Sequence, residues 1–425
     1  MNMRWLPLWV AALLLPVSAW GAGFSLYEQG GRALGQGGAY TARVGDASGI
    51  FFNPAGLARV ENGEILGGTS MIVVSREFAG VNPYPGYGSH AESPTQAFFP
   101  FHIYWAERLG DDFVVGFGVY NPFGLTTEWK DPDSFPGRFI STKASITPFY
   151  FNPTVAVSLA PWLRAGAGVT AVHSSLELKR HVGQINPTGS EPEVFDLGTA
   201  DLTANNDLDY GVNLGFQADL TPALTLGMNY RSRVSISYDG TADFTFTGTG
   251  TPLDSVLVGL FPKDQSASTD LGFPATLVLA LGVTPSPRFS AEMDLGWVQW
   301  SSFDRLPLRF KDTSLNQTLI EEWKDTFFYR FGAEIGLRDD LDLRLGYYYD
   351  ETPQPSNVVS PLLPDNNRTG FSLGVGKSWG RVRADLFGLY LIIPDRSTGG
   401  NNRDGFEGTY ANGVQIAGLT LGYRY

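Results

Sequence analysis

Arg330, Glu334, Asp342, Arg344, Asp350 and Arg368 gather in the last quarter of the 425-residue chain, on one side of segments in which side-chain character alternates. A guanidinium in such a set can hold a carboxylate through two parallel hydrogen bonds, so Arg330 or Arg344 is a candidate for meeting the acidic head of a ligand. The same charges can instead pair across neighbouring strands and pin whatever lies inside them. Both readings stay open. Hydrolytic chemistry has little to build on, because there is no Cys, only four His, and neither an H-E-x-x-H nor a G-x-S-x-G element. His173 and Ser175 share a strand face and are the one pair a barrel lipase could use, although a structural pair is the plainer reading. No enzyme, cofactor or metal site is expected. A formal net charge of -13 with no basic run argues against nucleic-acid partners.

A wall of strands is needed to carry these residues. Phe327, Tyr329, Phe331, Ala333, Ile335 and Leu337 alternate with Phe328, Arg330, Gly332, Glu334, Gly336 and Arg338, which is the two-residue period of a strand with one greasy face. Leu341, Leu343, Leu345, Tyr347 and Tyr349 alternate in the same way with Asp342, Arg344, Gly346, Tyr348 and Asp350. Two bulky aromatics, Phe328 and Tyr348, thereby fall on the otherwise polar side, placed to line a pocket or to touch a plug.

Applied along the chain, this period gives fourteen strand candidates, beginning near residues 65, 97, 113, 145, 163, 208, 224, 271, 288, 326, 341, 369, 381 and 411. Short turns at 109–112, 160–162, 221–223, 284–287, 339–340 and 379–380 alternate with long polar loops at about 81–96, 125–144, 180–207, 240–270, 303–325, 351–367 and 394–410. That asymmetry is expected of an all-β, fourteen-stranded antiparallel transmembrane β-barrel in a Gram-negative outer membrane, with an even count that closes without an open edge. Fifty-one Gly, 29 Phe, 18 Tyr and 10 Trp suit such a wall, and no apolar run reaches the ~20 residues of a membrane helix. A soluble β-helix or a series of sandwiches is the structural alternative, but no fixed repeat supports it. The terminal Tyr425 suits recognition by a barrel assembly machinery, and membrane lipid and lipopolysaccharide are the expected surroundings of a monomer.

Residues 1–21 read as a secretory signal, with one basic residue, an apolar run over 5–17, and Ala19 and Gly21 at the cleavage positions. Residues 22–64 fit the strand alternation poorly and are expected to form a hatch in the lumen, a periplasmic leader being the alternative, with 65–425 as the barrel. Asp46 can cap a short helix carrying Ile50, Phe51 and Phe52, which Pro54 would end. In the third strand candidate, Asn121, Pro122, Phe123 and Gly124 combine a missing backbone donor with a permissive glycine, which suits either a parted ladder or an ordinary turn. Apolar clusters at 256–261 and at Val358 and Val359 either form a capture groove or pack the loops.

The stretch Asp46, Ala47, Ser48 followed by Phe51, Phe52, Asn53, Pro54, Ala55, Gly56 and Leu57 resembles the hallmark of the FadL/TodX family of outer-membrane long-chain fatty acid and hydrocarbon transporters. Ala22, Gly23 and Phe24, the run from Tyr120 to Leu125, the run from Glu322 to Ala333, and Arg344 through Arg368 resemble the family in the same order. The resemblance implies a hatch containing Phe51, Phe52, Asn53, Pro54 and Ala55, and a lateral gate at Asn121, Pro122, Phe123 and Gly124. It also implies passive uptake of hydrophobic compounds through loop capture and a wall opening at strand 3. Phe328, Arg330, Glu334, Arg344, Tyr348 and Arg368 then stand as ligand-lining or lumen-network residues. A general porin or an adhesin is the rival function.

Overall fold

In hydrocarbon every backbone N–H and C=O must find a protein partner, so a membrane-spanning β chain has to close on itself. The computed structural model, which describes residues 23–185 and 194–425, does so with fourteen antiparallel staves. They are β1 Gly63–Gly80, β2 Phe101–Leu109, β3 Phe113–Tyr120, β4 Lys143–Ala160, β5 Leu163–Ile185, β6 Asp209–Thr221 and β7 Leu224–Arg231. There follow β8 Thr276–Ser286, β9 Phe289–Val298, β10 Thr326–Arg338, β11 Leu341–Asp350, β12 Arg368–Trp379, β13 Val382–Ile392 and β14 Gly408–Arg424. Closure is complete along the last stave, whose register against β1 runs from Glu64↔Arg424 to Gly80↔Gly408. The alternation read from the sequence sets the faces. Ile103, Phe117, Val155, Phe331, Leu345 and Leu373 are exposed to the membrane side, while Asn152, Asn213, Gln217, Asn229 and Arg344 are buried in the lumen. The expected signal segment lies outside the described residues.

Several of the expected long loops are partly sheet, three of them extensively. β5 continues to Ile185, and Val194–Asn205, Val234–Phe246, Gln265–Phe273 and Arg305–Phe310 extend the wall beyond the loop end of the staves. Leu202, Ala204, Ile236, Tyr238 and Leu271 are buried on the inner face of this extension, whereas Thr203, Ser237, Asp239 and Thr241 face out. The alternation is inverted there, apolar inside and hydroxyl-bearing or acidic outside, so these strands lack the greasy outer face of a membrane stave and read as polar loops.

Residues 23–60 pack inside the barrel. They form the short helices α1 Gly31–Leu34 and α2 Gly49–Phe52, then a 3-10 turn at Pro54–Arg59. Asp46 accepts from the Ser48 N–H at 3.1 Å just ahead of α2. Asn53 then accepts from the Ala55 N–H at 3.1 Å, so Pro54 ends one element and opens the next, where its missing donor costs nothing. The wall is thinned to admit this stretch: a β-carbon on Gly166 would lie 2.3 Å from the Pro54 carbonyl carbon, and one on Gly215 would lie 2.1 Å from Asn53 Oδ1.

Two sets of polar contacts seat the plug. On one side, the Asn213 amide donates to the Ile50 carbonyl at 3.1 Å, Gln217 donates to that of Val44 at 3.0 Å, and Glu292 accepts from the Ala42 N–H at 2.6 Å. On the other, Arg32 of α1 pairs with Glu334 at 2.7 Å, and the fully buried Arg344 bridges Glu334 at 2.6 Å to Asp385 at 2.7 Å. Removing one member of such a buried network strands the others without compensation, at a cost of about 3–5 kcal/mol. Arg344→Met is therefore expected to lower the temperature at which the folded band converts to the unfolded one on SDS gels; an unchanged temperature would show that the network contributes little to stability.

Candidate ligand path through the barrel wall

The third stave does not complete its run. β3 pairs with β2 and β4 as far as His102↔Tyr120 and Tyr120↔Tyr150, then leaves the wall, and the chain rejoins β4 only at Leu125–Glu128, opposite residues 143–146. Pro122 brings no N–H to a ladder, so this is where departure is cheapest. The displaced piece finds its partners inside the barrel. The Leu26 N–H donates to the Pro122 carbonyl at 2.8 Å, the Gly124 N–H donates to that of Phe24 at 3.0 Å, and Gln29 Nε2 reaches the Asn121 carbonyl at 2.5 Å. Ser25 and Phe123 thus form an antiparallel bridge between hatch and wall. A β-carbon at 124 would lie 2.7 Å from Leu26 Cδ1, so a larger residue there has to push the Leu26 side chain aside.

Around this bridge lies an aromatic cage. Phe24 is centred among Trp300 at 4.7 Å, Phe303 at 5.6 Å, Trp323 at 5.8 Å, and Phe123 and Phe273 at 6.0 Å, mostly in edge-to-face geometry. Beside it opens a cavity of about 480 Å³, bounded by the amino-terminal segment, the displaced residues 121–126 and the inner faces of β1, β10, β11 and β14. Its volume is that of a small-molecule site. Apolar side chains such as Ile72, Phe98, Ile146 and Ile416 dominate the lining, with four arginines, Arg76, Arg231, Arg330 and Arg368, set among them.

Those arginines differ in how far they are neutralised. Arg330 pairs with Asp350 at 2.9 Å and lies over the Tyr27 ring at 3.9 Å, while Arg368 pairs with Asp365 at 3.2 Å and donates to the Gly23 carbonyl at 2.7 Å. Arg231 donates to the Phe51 carbonyl at 2.6 Å and sits 3.7 Å over its ring. Arg76 donates to the Thr126 carbonyl at 2.8 Å, and among the described residues neither it nor Arg231 has a carboxylate in ion-pair range.

The sequence-predicted residues divide accordingly. Phe328, Arg330, Tyr348 and Arg368 line the cavity, together with Asn121, Pro122, Phe123 and Gly124. Glu334 and Arg344 do not; they belong to the network beneath α1. Phe328 meets Tyr27 at 5.6 Å, and it is Tyr27 that packs on Phe51 and Phe52 at 5.3 and 5.7 Å. Phe51 also reaches Tyr120 of β3 at 5.4 Å, whereas Asn53, Pro54 and Ala55 lie deeper, against β5 and β6. Val358 and Val359 are buried loop packing, and Val256, Val258 and Leu260 are exposed on a helix at Asp254–Leu260. His173 Nδ1 contacts the Asn206 carbonyl at 3.0 Å, and Ser174 pairs with Tyr238 at 2.6 Å. Sequence reasoning missed Arg76, although a lone cation after inward-facing Ile72 and Val74 was a visible signal. It also missed the Phe24 cage, whose members come from five separate places in the chain.

A plugged barrel with an interrupted stave and an apolar internal cavity defines a class, that of outer-membrane transport barrels for hydrophobic compounds. The sequence profile of the outer membrane protein transport family (OMPP1/FadL/TodX) matches residues 12–425, and the chain belongs to that family, whose members are transporters and not enzymes, in the outer membrane of Gram-negative bacteria. The chain is 24% identical to the long-chain fatty acid transport protein of Escherichia coli K12 across 86% of each chain. The crystal structure of a Pseudomonas aeruginosa FadL homologue superposes with a TM-score of 0.85 at 19% identity, covering 95% of this chain and 99% of that one. The Pseudomonas putida toluene transporter TodX gives 0.68 at 16% identity, covering 95% and 100%.

The loop that supplies Trp300 and Trp323 to the cage also carries Glu321, whose carboxylate is 3.3 Å from Arg403 of the loop before β14. Burial pushes Glu321 up from the usual 4.5 to about 7, against the opposing pull of Arg403. The packed loops hold the proton more tightly than the released ones do, so their docking is strongest below about pH 4.5 and weakens as pH rises through 7. Limited proteolysis within residues 303–325 is expected to be faster at pH 8 than at pH 5.5, and Glu321→Gln is expected to flatten the difference. Equal cleavage at both pH values would refute it.

Proposed function

We propose that the protein takes up amphiphilic hydrocarbons, long-chain fatty acids foremost, by capture among the outer loops, passage to the cavity and sideways exit at Asn121, Pro122, Phe123 and Gly124 into the bilayer. The observation that carries this reading is the withdrawal of the third stave over those four residues, directly beside the cavity. A hydrocarbon chain gains ~0.8 kcal/mol for each CH2 kept from water, so a wall exit serves it better than an aqueous pore. The hatch, seated by polar contacts on both sides, stands across the axial route. In this reading the barrel works as a single copy among outer-membrane lipid and lipopolysaccharide, inserted by the barrel assembly machinery.

Arg76 favours a carboxylate over a neutral hydrocarbon. A cation held in protein by one carbonyl, with no ion-pair partner among the described residues, keeps donors to spare for an acidic head group. Its neighbours Arg368 and Arg330 are already paired and Arg231 is spent on the Phe51 carbonyl and ring, which makes Arg76 the first choice for the group that discriminates. Arg76→Met is expected to weaken saturable uptake of labelled oleate by an order of magnitude while leaving toluene uptake unchanged; an equal effect on both would assign the residue a structural role only. Gly124→Trp, whose ring must displace Leu26 or fill the gap, is expected to slow uptake of either compound several-fold with the folded gel band retained. Unaltered transport in that variant would count against the sideways exit.

A further inference from the structure

The register of the flanking staves shows what the missing stretch of β3 has exposed. Since Tyr120 pairs with both His102 and Tyr150, an uninterrupted ladder would set Asn121 between Phe101 of β2 and Phe149 of β4. Staves on either side of a third lie roughly 9–10 Å apart, too far for their side chains to stack directly. Yet the Phe101 and Phe149 rings are 6.0 Å apart, inclined at 42°. Both belong to the lipid-facing rows, Phe101 with Ile103 and Trp105, Phe149 with Phe151 and Val155. Both also line the internal cavity. This pair of rings stands between cavity and membrane at the level of residue 121, with Phe99 and Thr147 bordering the gap further along the same two staves.

The edge of the gap has its own fastening. The Asn121 backbone has moved inward, but its side-chain amide takes over the missing rungs: Oδ1 accepts from the Phe101 N–H at 3.4 Å, and Nδ2 donates to the Pro148 carbonyl at 2.7 Å. Without it, a donor on β2 and an acceptor on β4 would face hydrocarbon unpaired. Pro148 adds no N–H that would need an acceptor. Two backbone groups bordering the opening are thus met by one side chain with the stave withdrawn, and the covering rings are tied down by no hydrogen bond.

Building on the sideways exit proposed above, we infer that Phe101 and Phe149 are an aromatic shutter over the gap, with the Asn121 amide as its fixed sill, and that this shutter sets the cross-section of ligand able to leave the cavity. Opening needs only side-chain rotation, since no ladder bond has to break. A slim, unbranched chain passes by displacing the rings; a fused polycyclic group does not.

The natural absence of Cys permits a direct test. In the full-length protein, Phe101→Ala with Phe149→Ala is expected to raise uptake of a pyrene-labelled fatty acid several-fold relative to oleate, with the folded gel band retained; Phe101→Leu with Phe149→Leu serves if the alanines disturb assembly. Phe101→Cys with Phe149→Cys, bridged by dibromobimane, is expected to fluoresce and to stop uptake of both ligands. If the bridge blocks transport but the ring deletions leave the pyrene-to-oleate ratio unchanged, the shutter is wrong and the sideways exit stands. If the bridge forms and transport continues, the exit falls and the shutter with it. Failure of the thiols to bridge would contradict the proximity and overturn the inference.

Discussion

A backbone polar group left unpaired in hydrocarbon costs several kcal/mol, and this structure is organised around one place where a stave breaks that rule. Between Tyr120 and Leu125 the third strand leaves its ladder, and several of the freed groups are met from elsewhere. Phe24 and Leu26 supply main-chain partners to the displaced segment, Gln29 reaches its first carbonyl, and the Asn121 side chain bridges the strands on either side. The wall stays bridged through Asn121 while the stave is locally absent.

This makes the amino-terminal segment more than a stopper. Its middle and end are seated by polar contacts against β6 to β9 and by the ionic network of Arg32, Glu334, Arg344 and Asp385. Its beginning is held by the bridge to residues 122–124 and by the cage around Phe24. The residues that complete the interrupted wall are thus the ones that bound the cavity, so cavity shape and wall integrity depend on the same few hydrogen bonds. Paired and unpaired arginines divide the labour in that cavity, Arg330 and Arg368 organising the hatch and Arg76 left with donors to spare.

Much of this was legible in the residue order. The alternation from Phe327 to Leu337 and from Leu341 to Tyr349 located two staves within a residue or two, and the contrast of short turns with long connections ordered all fourteen. Phe328, Arg330, Tyr348 and Arg368 were placed on the lumen side by period alone, and they do line the cavity. Glu334 and Arg344 share that face but sit farther along the staves, beneath α1, a difference of height that a two-residue period cannot express. The outer strands around Leu202, Ile236 and Leu271 were obscured because their outward faces are Ser, Thr and Asp.

By itself, then, the sequence determined that the chain closes into a barrel, since strand periodicity and the solvation of backbone groups are local properties readable one segment at a time. It also marked Pro122 as a residue unable to complete a ladder. Where the freed hydrogen bonds would go, and which aromatics would meet across the gap, were decided only by tertiary structure. Phe24, Phe101, Asn121 and Phe149 come together through registers of strands distant in the chain, and no local pattern encodes the height at which two staves align.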